Sequence, residues 1–260
     1  MKILSLVFPG FTFIDLAAPM QAFGMMPEAE CQTVWHDKGP VPSDAGVTVL
    51  ASHDPGDCWR DPDILFVPGN TKALFAQLED DRILDFVADR GSRAGWVTSV
   101  CNGSLLLGAA GLLQGYRAAS YWYARDSLAL FGAIPTDARV VIDRNRATGG
   151  GMTAGVDFGI AMIGEIMGEE AGRLFELLFE YAPAPPFGTG RPELAPPATV
   201  AAARQQLVAA WTPVLAAARA SAEWPTGDFK LVMGAPTLEG AAGIFRYEDC
   251  DGAIARISFP

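Results

Sequence analysis

Cys101 stands in the run Gly95-Trp96-Val97-Thr98-Ser99-Val100-Cys101-Asn102-Gly103-Ser104-Leu105, where a buried-strand pattern stops at a thiol and an apolar helix pattern starts directly after it. That order describes a nucleophile elbow. A sharp strand-to-helix turn lifts its central side chain above the sheet and leaves the first helical N–H groups unpaired. Those donors and the positive end of the helix dipole favour thiolate over thiol, so the expectation is a cysteine nucleophile ionised at neutral pH. Cys31, Cys58 and Cys250 lack this setting and read as packing residues.

A catalytic thiol needs a group that handles protons, and the chain has two histidines. His36 ends a strand pattern in Val34-Trp35-His36, and His53 lies in a Ser-His-Asp-Pro turn. Surface or structural roles fit both, and a Cys-His-Asp triad has little support. Asp15 is the alternative: it follows the first strand by a short loop, and a carboxyl brought near a thiolate has its pKa raised and becomes a proton donor. The same residue also fits a plain helix cap ahead of Leu16. Val67-Pro68-Gly69-Asn70 ends another strand, and its backbone N–H groups, with that of Asn102, are candidates for stabilising negative charge on a substrate atom. Gly149-Gly150-Gly151 precedes a helix without the lysine or spacing of a phosphate loop, so close strand–helix packing is expected there, with Thr153 as N-cap and Asp157 in the first turn.

The elements that position these residues alternate. Strands are expected at Lys2–Phe8, Cys31–His36, Val47–Ala51, Asp63–Val67, Gly95–Val100, Arg117–Tyr121, Arg139–Ile142 and Arg146–Gly149. Helices are expected at Asp15–Phe23, Asp80–Arg90, Asn102–Leu112, Ala124–Phe131, Thr153–Met167 and Glu169–Tyr181. Such alternation predicts an α/β fold, a three-layer α/β/α sandwich with a mostly parallel central sheet of flavodoxin-like type. Ligands of such sheets bind beyond the carboxyl ends of the strands, where Asp15, Gly69-Asn70 and Cys101 all fall.

One main domain over residues 1–220 and a C-terminal extension over residues 221–260 are expected. Ala182-Pro183-Ala184-Pro185-Pro186-Phe187-Gly188 reads as extended chain. Thr199 to Ala218 reads as an amphipathic helix with Val200, Leu207, Trp211 and Leu215 on one face and a break at Pro213. Three short strands are expected at Asp228–Met233, Gly243–Tyr247 and Ala253–Phe259.

Thirty acidic against 19 basic residues give a net charge of -11, which repels a phosphate backbone and an anionic membrane. Neither nucleic acid nor membrane is an expected partner. The four cysteines form no CxxC pair, so neither a zinc site nor a disulfide framework is expected and a reducing cytoplasm is the simplest setting. The apolar start is interrupted by Pro9, Gly10 and Asp15, and the chain reads as unprocessed and soluble.

With these motifs assembled, the sequence resembles the ThiJ/PfpI superfamily of class I glutamine-amidotransferase-like proteins, and within it the isonitrile hydratases. The resemblance rests on Val97-Thr98-Ser99-Val100-Cys101, Gly103-Ser104, Leu107 to Leu113, Gly132-Ala133-Ile134-Pro135, Asp143-Arg144-Asn145-Arg146, Thr153-Ala154-Gly155 and Tyr181 to Phe187, and spans roughly Met1 to Arg219. It implies addition of water to R–N≡C to give an N-substituted formamide, without metal or organic cofactor, in a cytoplasmic homodimer acting on a small molecule. Cys101 is then the nucleophile that carries a thioimidate, and Asp15 the acid and base. Asn102 follows the nucleophile where these hydratases usually have threonine. Gly69, Asn70, Tyr121 and Trp122 are the expected substrate-binding residues, Tyr121 standing where relatives generally have histidine and Asn70 where glycine is common. Two other readings compete: glyoxalase-like or deglycase-like attack on reactive carbonyls, and a non-catalytic cysteine redox sensor.

Overall fold

The structure is a computed structural model that describes residues 1–70 and 74–208 and three further strands, Phe229–Leu231, Ile244–Asp249 and Ile254–Ser258. Strand β1 (Lys2–Leu6) leads to helix α1 (Phe13–Gly24) and edge strand β2 (Glu30–Val34). A hairpin follows, β3 (Gly39–Pro42) and β4 (Thr48–Ala51), outside the main sheet. Then come β5 (Ile64–Val67), α2 (Leu74–Leu78), α3 (Asp81–Arg93), β6 (Trp96–Ser99) and α4 (Gly103–Ala109). The short pair β7 (Arg117–Ala118) and β8 (Ile134–Pro135) flanks a 3-10 helix at Arg125–Phe131, and β9 (Val140–Asp143), β10 (Arg146–Gly149), α5 (Ala154–Met167) and α6 (Glu169–Leu178) follow. Residues 197–208 form a further helix, α7.

The main sheet runs β2-β1-β5-β6-β10-β9, parallel throughout except for the β9–β10 hairpin at its edge. Helices α1, α5 and α6 pack together, and α2, α3 and α4 form a second group. This is the expected three-layer sandwich. Strand β5 is buried at every position, as befits a central parallel strand covered on both faces. The chain goes outward from β1 to β2 and returns on the other side of β1 as β5, so the strand order reverses between β1 and β5. Such a switch point opens a crevice at the carboxyl ends of the two strands.

Two packing features fix α1 to the sheet. Phe23, Phe66 and Phe158 meet as a triad from α1, β5 and α5, with ring centroids 6.0 to 6.2 Å apart. Gly155 and Gly159 bring α5 against α1, since a β-carbon at Gly159 would lie 2.6 Å from that of Ala22. The glycine-rich segment therefore serves helix–helix approach as well as strand packing. Thr153 occupies the N-cap position of α5 without a side-chain capping bond, and Asp157 is instead bound by Arg139 and by the Tyr181 hydroxyl at 2.8 Å.

Several elements are shorter than expected. The Arg117–Tyr121 strand is confined to Arg117–Ala118, because the chain turns at Ala119 to reach the elbow. The Ala124–Phe131 helix is a 3-10 helix. Cys58 is buried, but Cys31 is exposed: β2 is an edge strand, and only Thr33's neighbours Gln32 and Val34 are covered. Cys250, Trp211, Pro213 and Leu215 lie outside the described residues.

The chain divides into two compact units, Met1–Ala222 and Glu223–Pro260. Within the second, Ile244–Asp249 pairs antiparallel with both Phe229–Leu231 and Ile254–Ser258.

Candidate active site

Cys101 follows β6 by one residue and has φ of 56°, in the left-handed region that costs a non-glycine residue roughly 1–3 kcal/mol. Hydrogen bonds on both sides of the residue hold it there. Its N–H donates to Gly149 O at 3.1 Å and to Gly150 O at 2.8 Å, tying the elbow to the end of β10. Its carbonyl accepts from the Ser104 hydroxyl at 3.2 Å and the Ser120 hydroxyl at 3.0 Å. Gly103 can only be glycine, because a β-carbon there would meet Val67 O at 2.5 Å and Pro68 O at 2.7 Å. The sequence Cys-Asn-Gly-Ser thus folds as a strained turn with its strain offset locally.

Asp15 lies in the first turn of α1 and is fully buried. It does not cap the helix. Thr12 is the N-cap residue, its N–H donates to Gly69 O at 2.9 Å, and its carbonyl accepts from the Asp15 N–H at 3.0 Å. The β1–α1 turn is thereby joined to the β5 turn, and Asp15 is held at the switch point. Neither carboxylate oxygen makes a hydrogen bond of ordinary geometry among the described residues, although the Cys101 thiol and the Gly69 N–H lie close enough to act on the group. Burial is the main reason its pKa rises from 3.8 to about 7, with the Cys101 thiol and the Gly69 N–H opposing the rise and the charge of Asp44 adding to it.

The Cys101 thiol faces this carboxyl and is only 3% exposed. Burial and the neighbouring Asp15 charge push its pKa well above the ordinary thiol range, against the N–H groups of Asn102 and Met152, which favour the thiolate. The expectation of a free thiolate at neutral pH is therefore corrected. The sequence reveals the helix terminus, whereas desolvation depends on the surrounding packing. The two groups are coupled, so their protons come off as those of a pair.

Asn102 clamps the β5 turn. Its side-chain Oδ1 accepts from the Asn70 N–H at 2.7 Å, and its Nδ2 donates to Asn70 O. Asn70 Nδ2 in turn donates to Gly10 O at 3.1 Å. The Asn70 N–H is thus already engaged and is not open to a substrate, contrary to the expected anion-stabilising role. Gly69 fits between the two turns because it lacks a β-carbon, which would lie 2.4 Å from Asn102 Oδ1 and 2.7 Å from Cys101 Cβ.

Tyr121 reaches the site. The Ala119 N–H donates to Thr148 Oγ1 at 2.7 Å and Ser120 binds the Cys101 carbonyl, so the next ring, Tyr121, covers Gly151 and lies within the field of Cys101. Trp122 turns elsewhere, lining a cavity of about 100 Å³ with Thr189, Arg191, Pro192 and Val200, and Arg204 stands 5.4 Å over its ring. The histidines are committed to other partners: His36 Nε2 is 2.9 Å from Asp80, and His53 lies between Gln32 and Ser52. No group of three or more His, Cys, Asp or Glu able to hold a metal occurs among the described residues.

Sequence reasoning missed Ser104 and Ser120 as supports of the elbow, and Thr12 and Asp44 beside Asp15. Ser104 lies within the elbow motif, but Ser120 and Asp44 have no local pattern that marks them.

An elbow cysteine facing a buried acidic residue across the switch point of a flavodoxin-like sheet defines a class of protein, and the chain belongs to it: residues 1–165 match the DJ-1/PfpI family. An isonitrile hydratase of Pseudomonas putida is 43% identical over 203 residues, covering 77% of this chain and 87% of that protein. A ThiJ/PfpI family protein of Pseudomonas syringae, solved as a crystal structure, is 46% identical with a TM-score of 0.79, covering 86% of this chain and 91% of that one. DJ-1 of Schizosaccharomyces pombe, 18% identical with a TM-score of 0.60 over 70% of this chain and 100% of its own, shares the fold alone.

Proposed function

We propose that the chain is an isonitrile hydratase, converting R–N≡C and water to R–NH–CHO with Cys101 as nucleophile and Asp15 as acid and base. The observation that carries this reading is the buried Asp15 carboxyl, with its pKa near 7, facing the Cys101 thiol in a chain so similar to a hydratase of that name. An acid of that strength is half protonated at neutral pH and suits a proton donor.

The chemistry balances without a free thiolate in the resting site. Asp15 gives its proton to the isonitrile carbon as the Cys101 sulfur bonds to the same carbon, and the thiol proton passes to the Asp15 carboxylate. The product is a thioimidate, R–N=CH–S. Water then adds to that carbon while the nitrogen takes the proton from Asp15 and the carboxylate takes one from the water. The C–S bond breaks as the hydroxyl becomes a carbonyl, and its proton returns to sulfur. Tyr121 and Gly69 border the reacting groups, Asn102 holds the β5 turn in place, and Trp122 belongs to a more distant wall.

A homodimer is part of this proposal. Leu174, Leu177 and Leu178 share one face of α6 and are 52%, 77% and 58% exposed, an apolar stripe that supports self-association. The absence of a helix long and apolar enough to cross a membrane among the described residues, and the unpaired Cys31 and Cys58, suit a reducing cytoplasm.

The test is direct. Purified protein is expected to turn cyclohexyl isocyanide into N-cyclohexylformamide, read by NMR, and Cys101→Ala to do so no faster than buffer. Wild-type protein that yields no formamide, or a Cys101→Ala variant equal to it, overturns the assignment.

A further inference from the structure

Helix α1 begins with an N-cap, Thr12, whose side chain makes no bond to its own helix. Its hydroxyl donates instead to Asp44 Oδ2 at 2.7 Å, and the Phe13 N–H donates to Asp44 Oδ1 at 3.2 Å. The Asp44 N–H donates to Phe11 O at 2.9 Å, and Phe11 also bridges to Ser43 and Asn70. A carboxylate from the β3–β4 turn therefore caps α1 from outside, directly before the residue pair that leads to Asp15.

We propose that Asp44 is a positioning residue for the reaction, fixing the first turn of α1 through its two oxygens and setting its negative charge beside the proton that Asp15 carries. The proposal rests on the reading of Asp15 as proton donor. The charged and titratable groups that act on Asp15 are Cys101 from the elbow and Asp44 from the β3–β4 turn. Helix α1 carries no other ionisable side chain, and Asp157 of α5, the helix packed on it, is taken by Arg139 and Tyr181. Among the described residues no cation pairs with Asp44. Its charge opposes ionisation of Asp15 in the same direction as burial does.

Two substitutions separate charge from geometry. Asp44→Asn keeps an acceptor for the Phe13 N–H and offers Thr12 Oγ1 a donor, but removes the charge; Asp44→Ala removes both. The readouts are the pH profile of kcat/KM for cyclohexyl isocyanide and the infrared carbonyl stretch of protonated Asp15, assigned by its loss in Asp15→Asn. Asp44→Asn is expected to move both titrations to lower pH and to lower kcat/KM about two- to threefold at neutral pH. Asp44→Ala adds a fall in the limiting value at low pH, because the first turn of α1 loosens. Asp44 is exposed, so added salt screens it, and wild-type protein is expected to shift in the same direction as Asp44→Asn when salt is raised. That measurement serves even where the variant folds poorly. Infrared titrations indifferent to both salt and Asp44→Asn overturn the proposal and leave Asp44 as a helix cap. A wild-type protein that makes no formamide while the infrared titration still shifts with Asp44→Asn defeats the hydratase reading and upholds the electrostatic link.

Discussion

The carboxyl of Asp15 is fully buried, has no hydrogen bond of ordinary geometry to either oxygen among the described residues, and faces the Cys101 thiol at the switch point between β1 and β5. A buried polar group left in this condition lowers stability, by about 1–3 kcal/mol for a neutral one and by more for an ionised one. The fold tolerates that cost beside a thiol, where it suits the proton donor proposed for this site. Such a local conflict with the rules of packing is a mark of a functional site.

Stability should respond to pH through Asp15. Its folded-state pKa is raised from 3.8 to about 7, so between those values the folded chain holds a proton that the unfolded chain releases, and stability falls as pH rises. The contribution is complete below the unfolded value and lost above the folded one. Asp15→Asn has no such slope. Its stability relative to wild type is expected to improve by about 3 kcal/mol between about pH 5 and about pH 8, measured by urea unfolding. A difference that stays constant with pH contradicts the buried, shifted carboxyl.

The strain at Cys101 is testable separately from its chemistry. Glycine adopts a φ of 56° without penalty, whereas alanine does not. Cys101→Gly should therefore be more stable than Cys101→Ala by about 1 kcal/mol, although neither carries a thiol. Equal stability, or an advantage for alanine, rules out the strained elbow.

Gly69→Ala should displace the elbow. The new β-carbon meets Asn102 and Cys101 at 2.4 and 2.7 Å, so the β5 turn and the Cys101 elbow must part. Since misplacement by about 1 Å costs on the order of 100-fold in rate, kcat should fall by about that factor while far-ultraviolet circular dichroism stays unchanged. Wild-type kcat in this variant contradicts the clamp.

The parts of this site that periodicity and turn chemistry encode were legible in the chain. A strand breaking at Val100-Cys101 into Asn-Gly-Ser, and β1 running into a helix with Asp15 in its first turn, place both residues on one sheet edge before any contact is known. What depends on distant packing was hidden. The high thiol pKa arises from burial by several elements, and no local pattern announces it. The Asn102 side chain looked incidental to its backbone N–H, yet it is the side chain that grips Asn70. Strand β3 contains Pro40 and Pro42, which argue against a strand, and survives because it pairs only with β4 outside the main sheet. Asp44 follows that hairpin strand in an unremarkable turn, and only the folded chain brings it to Thr12.

The pH dependence of formamide production tests the central claim most directly. Cyclohexyl isocyanide hydration followed from about pH 5 to about pH 9 should show kcat/KM falling above an apparent pKa near 7, the point at which Asp15 loses the proton it donates. Asp15→Asn should give little formamide at any pH. A rate that instead climbs through this range, as it would if a free Cys101 thiolate were the only requirement, contradicts a proton held on Asp15.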